Sequence, residues 1–363
     1  MNKKKEIRII GAGPAGLCAA IHLAHAGYGV TVFERNRDVG MRFSGDFQGI
    51  ENWSISEDFL SSIQRMSIRP DFLCQPYKQG EFFMQGNFGG TVKSDKPLFY
   101  LTLRGPLKGS LDRSLKKQAE DAGVHILFNQ RMNPDQGEII ATGPGRPNTL
   151  ASGVLFKTDL HDTIMAYLDN RAAPWGYAYL LARQGQATLA SVYFKDFKNG
   201  FNHLDHSIRA FQNIRPFSME ETRRFTGYGS YFPTRNAVHH HRLYAGEAAG
   251  FQDFLFGFGI RYALTSGYLA ARSIIEGSDY NALWKEAFGR QIYTSLSNRY
   301  LFQRFGAMAH RFVIWGTTRG DPWRFMNRLY QSSWSRRAAY LPAERWLKRS
   351  ARNHGLKKTW EII

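Results

Sequence analysis

The sequence predicts an α/β chain, α+β overall, in which a Rossmann-like domain is joined by an antiparallel-sheet domain and a helical C-terminal region. Three observations predict it. Residues 7–34, IRIIGAGPAGLCAAIHLAHAGYGVTVFE, read as strand, glycine-rich turn, helix and a second strand ending in an acid. Leu155–Lys157, Tyr177–Ala182 and Thr188–Phe194 are short apolar or alternating runs of strand length. From residue 276 onward, arginines interleave with Phe, Tyr and Trp in helical stretches.

Ile7, Ile9 and Ile10 make the first strand, and Gly11, Gly13 and Gly16 follow in G-x-G-x-x-G order. Gly11 permits the tight turn, Gly13 leaves no side chain between backbone and a pyrophosphate, and Gly16 lets the helix pack close on the strand. Pro14 and Ala15 open a helix whose unpaired N–H groups face the phosphates. Leu17, Ala20, Ile21 and Ala24 recur at helical spacing, Gly27 and Gly29 end the helix, and Val30, Val32 and Phe33 form the second strand. Glu34 closes it, placed to accept hydrogen bonds from ribose hydroxyls, with Arg35 beside it as a further cofactor contact.

A second glycine-rich segment, GEAAGFQDFLFGFGIRYALTSGYLAARSI, spans residues 246–274 after a short strand at Leu243, Tyr244 and Ala245. It resembles the second FAD motif of the flavoprotein superfamily that contains aromatic hydroxylases and geranylgeranyl reductases. Gly246, Ala248, Ala249, Gly250, Gly257, Gly259 and Ile260 carry the match. The resemblance implies FAD as cofactor, an acid after the first glycine that holds a ribityl hydroxyl, and a G-x-G-I turn beneath the isoalloxazine ring. This chain has Glu247 where the family has Asp, and Phe254 or Leu255 near the family's proline.

Arg104, ahead of LKGSLDRSLKKQAEDAGVHILF, resembles the family's arginine near the cofactor phosphates or ribityl chain; its plainer reading is an exposed arginine before an amphipathic helix. Glu138–Gly143 resembles the strand ending in A-T-G beside FAD, which makes Thr142 and Gly143 cofactor contacts. The Asp-Gly element with downstream serine and arginine of the hydroxylase branch is not found. Arg42 is a further expected cofactor contact, whereas Ser44, Gly45 and Asp46 occupy the place of the archaeal reductases' cysteine-glycine turn, so no catalytic cysteine carries over. PWGYAYL, residues 174–180, partly matches the geranylgeranyl reductase motif P-x-x-Y-x-W-x-F-P. On one strand Trp175, Tyr177 and Tyr179 would share a face, forming either an aromatic substrate wall or an ordinary sheet-core face. Tyr177 and Tyr179 are the catalytic candidates.

These motifs extend from residue 7 to residue 260, so the FAD-binding domain is expected to be discontinuous: 1–45, 100–150 and 230–275, with a substrate domain at 46–99 and 151–229 and a basic, aromatic helical region at 276–363. A chain of 363 residues with 43% hydrophobic content supports more than one core. Cys18 reads as a small core residue and Cys74 has no partner nearby, so neither disulfide nor structural zinc is expected. His239, His240 and His241 alternate in direction on an extended segment and lack neighbouring acids or cysteines, so no metal site is expected. The lysines before the first apolar run mimic a signal peptide, but the glycine turn accounts for the run. No stretch reaches the ~18 apolar residues of a transmembrane helix; the expected location is cytoplasmic, peripheral at most.

Net charge is +18, and by count residues 290–363 hold fifteen Lys or Arg against three acids, two thirds of the excess. Trp315, Trp323, Trp334, Trp346 and Trp360 lie there, in helices expected to break near Gly316–Pro322 and at Pro342. Cations beside aromatics fit an anionic membrane surface; the alternative is a packed helical subdomain with solvated arginines. Nucleic acid is not an expected partner, since no recognition motif is present. The expected activity is reduction of a carbon–carbon double bond in a hydrophobic, isoprenoid or lipid-like substrate by hydride from reduced FAD, itself reduced by NAD(P)H or a protein donor. The alternatives are a flavin monooxygenase or dehydrogenase acting on a hydrophobic small molecule, and a non-catalytic flavin-binding interaction protein.

Overall fold

Exposed Glu6 and Arg8 alternate with buried Ile7 and Ile9 along the first strand, Glu6–Ile10, so one edge of the chain is drawn inward from its start. In the computed structural model, which describes residues 5–145, 147–230 and 232–353, this strand lies inside a six-stranded sheet. The order is Val238–His239, Arg242–Tyr244, Ile139–Ile140, Glu6–Ile10, Gly29–Phe33 and His125–Leu127. All neighbours but the first pair are parallel. A parallel pair needs a crossover, and the helix Pro14–His25 supplies it between the first two strands. Leu17, Cys18, Ala20, Ile21 and Leu23 of this helix are buried. Cys18 is a core residue whose thiol is pushed up to about 12 by burial. The sheet thus draws on three separated stretches of sequence.

A seven-stranded sheet carries the inserted segments, in the order Glu220–Gly229, Thr149–Lys157, Gln186–Tyr193, Tyr177–Arg183, Thr163–Leu168, Gln79–Met84 and Asn87–Lys93. Its one parallel junction, Thr163–Leu168 with Gln79–Met84, ties the earlier segment to the later. Leu204 and Phe211 of the helix Gly200–Ile214 pack in a core with Phe156, Leu180 and Leu189. A three-stranded antiparallel sheet, Phe47–Glu51, Phe99–Leu103 and Gln75–Tyr77, completes the β structure.

The C-terminal region is part of the core. Trp284, Phe288, Ile292, Leu296, Ala343 and Leu347 pack in the same cluster as the Rossmann-like strands. One expected helix boundary differs. Pro342 lies inside the helix Trp334–Asn353; Pro342 and Ala338 are both exposed, so the carbonyl freed by the missing N–H reaches water, while buried Ala343 and Leu347 hold the helix in place. The break instead falls at Gly306, between Arg290–Phe305 and Ala307–Thr318, at φ +50°, ψ −120°, a conformation costly for any residue with a Cβ. The expected interruption before Pro322 is present: one helix ends at Thr318 and the next, Pro322–Tyr330, starts with its proline. Trp360 lies outside the described residues. Among those residues no helix is long and apolar enough to cross a membrane.

Candidate cofactor and substrate site

Three glycines of the first turn have three different surroundings. At Gly11, φ is +106° and a Cβ would sit 2.3 Å from the Ala141 carbonyl oxygen. At Gly16 a Cβ would meet the Gly11 oxygen at 2.0 Å. Gly13 has ordinary extended backbone, φ −83°, and nothing within 4 Å of its Cβ position. The first two are required by packing, and the third opens onto a cavity of about 660 Å³. The helix behind Gly13 has no side-chain cap, nor has Ile260–Glu276 behind Gly259, so both present unpaired first-turn N–H groups. The two motifs touch: a Cβ on Gly246 would lie 3.1 Å from Ala15 Cβ, and one on Gly267 2.1 Å from the Ala15 carbonyl oxygen. Gly267 is a requirement that motif matching did not single out.

Gly11, Gly13, Pro14, Ala15, Glu34, Arg35, Arg42, Arg104, Thr142, Gly143, Gly246, Glu247, Gly257, Gly259 and Ile260 all line this cavity. Gly16 and Ala248 do not; the first lies beneath the turn and the second within the short helix Gly246–Ala249. Glu34 is buried at the strand end, where one carboxylate oxygen accepts the Ala12 N–H (2.9 Å) and the other accepts from Asn36, backbone at 2.9 Å and amide at 2.6 Å. Each oxygen keeps acceptor capacity for a hydroxyl. Arg104 is buried and its fork is met by Asp112, with two bonds of 2.9 Å, while its guanidinium lies 3.9 Å from the Phe43 ring centre. Its charge is thus already balanced, neither solvated nor left for a phosphate. Arg42 donates to Glu247 at 2.5 Å and to the Tyr228 carbonyl, spanning from the cofactor motif to the seven-stranded sheet. Gly45 keeps a turn at φ +93° where the family's cysteine turn stands.

The residues fit FAD. Glu247 Oε1, Arg42 Nε, Thr149 Oγ1 and Gln252 Oε1 belong to cavity-lining residues and are buried without a hydrogen-bond partner among the described residues. A buried polar atom left unpaired costs about 1 to 3 kcal/mol, and a hydroxyl-rich ribityl chain with a polar ring edge supplies both donors and acceptors. Beside Phe254 and Leu255, which stand near the family's proline, this chain builds the flavin turn on Asp253. Its fully buried carboxylate accepts the Phe256 N–H (2.7 Å), the Leu255 N–H (3.3 Å) and the Tyr330 hydroxyl (3.0 Å), and its N–H donates to the Phe258 carbonyl. Burial raises its pKa against those bonds. Reading the sequence missed Asp253 and Gln252, although both stand inside the quoted motif.

The cavity also has an apolar lobe, lined by Val92, Leu98, Phe99, Ile164, Leu181, Phe302, Val313 and Met326, most of which cluster with Phe256 or Phe258 of the turn around Gly257–Gly259. Tyr177 and Tyr179 line it from one strand face, rings 6.2 Å apart. Burial raises both phenols above their ordinary range. Tyr177 donates to the Phe256 carbonyl at 2.6 Å, whereas the Tyr179 hydroxyl has no such bond among the described residues. Trp175 does not join them. It sits in a left-handed turn at φ +62°, just before Gly176, where a Cβ would lie 1.7 Å from the Val192 oxygen, and its indole is beneath Lys195. The histidine run forms a hairpin turn, His240 and His241 at positive φ. Among the described residues no group of three or more His, Cys, Asp or Glu could hold a metal ion.

The sequence matches the NAD(P)-binding Rossmann-like domain family over residues 9–49. It is 24% identical over 375 residues to digeranylgeranylglycerophospholipid reductase 2 of Methanothermobacter thermautotrophicus, covering 84% of this chain and 89% of the relative. In structure it is similar to a geranylgeranyl bacteriochlorophyll reductase-like protein of Thermoplasma acidophilum, with TM-score 0.69 at 16% identity over 96% of this chain and 99% of that one. A flavin-dependent brominase gives TM-score 0.62 at 14% identity over 95% and 99%. A probable FAD-dependent monooxygenase of Pseudomonas aeruginosa gives 0.60 at 14% over 85% and 98%.

Proposed function

From the premise that this chain is an FAD-binding oxidoreductase with the fold shared by geranylgeranyl reductases and flavin monooxygenases, we propose that it reduces carbon–carbon double bonds of a hydrophobic, isoprenoid-like substrate. The observation that carries this reading is the apolar, tyrosine-walled lining that the same cavity has around the flavin turn. The curated relative, named as a reductase of an isoprenoid lipid, supports it. Bound reduced FAD would supply hydride to one carbon of the double bond.

The protein's own residues do the rest. Ile164, Leu181, Phe302 and Met326 bind the hydrocarbon and exclude water. Tyr177, committed to the Phe256 carbonyl, orients the wall. Tyr179, whose raised pKa keeps its proton through the neutral range, is the group with a free hydroxyl to deliver that proton to the second carbon, directly or through water. NAD(P)H or a protein donor restores the reduced cofactor.

The test is anaerobic mixing of dithionite-reduced protein with a geranylgeranyl glycerolipid, read by flavin reoxidation and by mass spectrometry. A mass gain of two hydrogens per double bond is the expected result. Tyr179→Phe should slow that reoxidation by about a hundredfold or more while retaining FAD. Reduced flavin inert to the lipid, with oxygen uptake stimulated by an aromatic small molecule, would replace this reading by a monooxygenase. Inertness to both would leave a flavin-binding interaction protein.

A further inference from the structure

The helix Ala307–Thr318 has two apolar faces. His310, Val313, Ile314 and Thr317 are buried, and Val313 and Thr317 line the apolar lobe of the cavity. On the other side, Met308, Phe312 and Trp315 are 65%, 52% and 54% exposed. Their spacing of four and three residues sets them in one stripe. The Phe312 and Trp315 rings are stacked with centres 6.4 Å apart, so the stripe is ordered. Phe305 precedes it at 51% exposure. Contiguous large apolar side chains held outward on a helix mark a binding surface.

The surrounding charge says what covers it. No Asp or Glu occurs between Glu286 and Asp321. Arg304, Arg311 and Arg319 are exposed and have no acidic partner among the described residues. A second copy of this chain would bring the same cations against them, and like charges repel. An anionic bilayer surface suits both features: the aromatics enter the headgroup and acyl boundary and the guanidiniums meet phosphates. Trp323, a membrane-inserting residue on the sequence reading, is excluded because it is buried and donates to the Asn52 carbonyl at 2.6 Å.

We propose that the outer face of Ala307–Thr318 docks on an anionic lipid surface, which sets the apolar lobe one helix thickness from the bilayer. If the reductase reading also holds, this helix is the partition that a lipid substrate crosses. The docking itself does not depend on that reaction.

The experiment uses the full-length flavoprotein with phosphatidylcholine vesicles, with and without phosphatidylglycerol, at low and high salt. Co-sedimentation should require phosphatidylglycerol and fall, though not vanish, with salt. Met308→Ser/Phe312→Ser/Trp315→Ser should weaken it by at least tenfold, with bound FAD unchanged as the control for folding. Brominated lipid should quench the fluorescence contributed by Trp315, measured against Trp315→Phe. The proposal is overturned by absence of binding at low salt, by binding that the triple variant leaves intact, or by a vesicle-free dimer that the triple variant converts to monomer. Failure of double-bond reduction with vesicle binding intact would overturn only the reductase reading.

Discussion

The cofactor cradle and the C-terminal cap enclose one cavity but are held by opposite means. In the cradle, backbone meets backbone: Gly11, Gly16, Gly246 and Gly267 are where a Cβ would strike a carbonyl oxygen or the methyl of Ala15. In the cap, large side chains reach across the molecule to single backbone acceptors. Trp323 Nε1 donates to the Asn52 carbonyl and Asn327 to that of Trp53 at 2.8 Å. A cradle made by steric exclusion leaves its mark at fixed local spacing, whereas a cap made by contacts more than two hundred residues apart leaves none.

The largest effect should come from the one cradle glycine that packing does not require. Gly13→Asp meets no protein atom and no forbidden φ, so the apoprotein should unfold at close to the wild-type temperature. Its carboxylate would stand where the pyrophosphate approaches, so FAD should be lost entirely. Gly11→Ala should do the reverse, destabilising the fold itself because its Cβ lies 2.3 Å from a backbone oxygen at φ +106°. Flavin absorbance and thermal unfolding of both variants separate the two roles. A yellow Gly13→Asp protein would break the assignment of the cradle.

Trp323→Ala should be next, at about 3 to 5 kcal/mol of stability in denaturant. The side chain packs with Trp53, Leu98 and Met326, and its removal also orphans the Asn52 carbonyl. Trp334→Ala, at 84% exposure, should stay within about 0.5 kcal/mol. Equal, small effects at both positions would make the cap an appendage, and the comparison with the cradle would fail.

These contrasts explain what could be read from sequence. The strand, turn, helix and acid of residues 7–34 were legible because Gly11 and Gly16 answer local steric demands and Gly13 stands between them at fixed spacing, and in the G-x-G-I turn Gly257 at φ +86° answers a demand of the same local kind. Arg104 was legible as a cofactor contact only by resemblance, and its burial and pairing with Asp112 at the start of the helix Leu111–Asp121 have no periodic signature. Asp253 holds its turn by accepting the Leu255 and Phe256 N–H groups, a side-chain role that residue matching does not see. Charge count pointed to Trp323 and Trp334 alike; only packing separates a buried anchor from an exposed ring.

Glu247 sharpens the cradle's electrostatics. Glu247→Ala removes the partner of Arg42 and an acceptor whose second oxygen is buried and unpaired among the described residues. FAD affinity should fall by about 1.5 to 3 kcal/mol, the range for a hydrogen bond to a charged group, measured by titrating apoprotein with FAD. An unchanged dissociation constant would mean that Glu247 serves only to hold Arg42.

The last predicted effect lies on the seam between cradle and cap. Glu51 ends the strand Phe47–Glu51 and is 1% exposed; one oxygen accepts from Ser54 at 3.0 Å and the other has no partner among the described residues. Burial raises its pKa to about 7, with the Arg261 charge opposing the rise and the Asp253 charge adding to it. In the unfolded chain it titrates near 4.3. Because the folded pKa is the higher one, the folded state binds this proton more tightly, and the associated stability is present at low pH and is lost as pH rises through about 7. Between pH 6 and 8 that loss is about 1 kcal/mol. Glu51→Gln keeps the acceptor for Ser54 without the titration, so its stability should be flatter than wild type over this interval by that amount, and greater at pH 8. Groups remote from Glu51 contribute equally to both proteins, so the difference in slope belongs to Glu51 and the charges coupled to it, Arg261 and Asp253. Identical slopes in urea titrations at pH 6 and 8 would mean that the carboxylate is already charged inside the fold, and the seam would then have to be held by ion pairing with Arg261 rather than by a buried neutral acid.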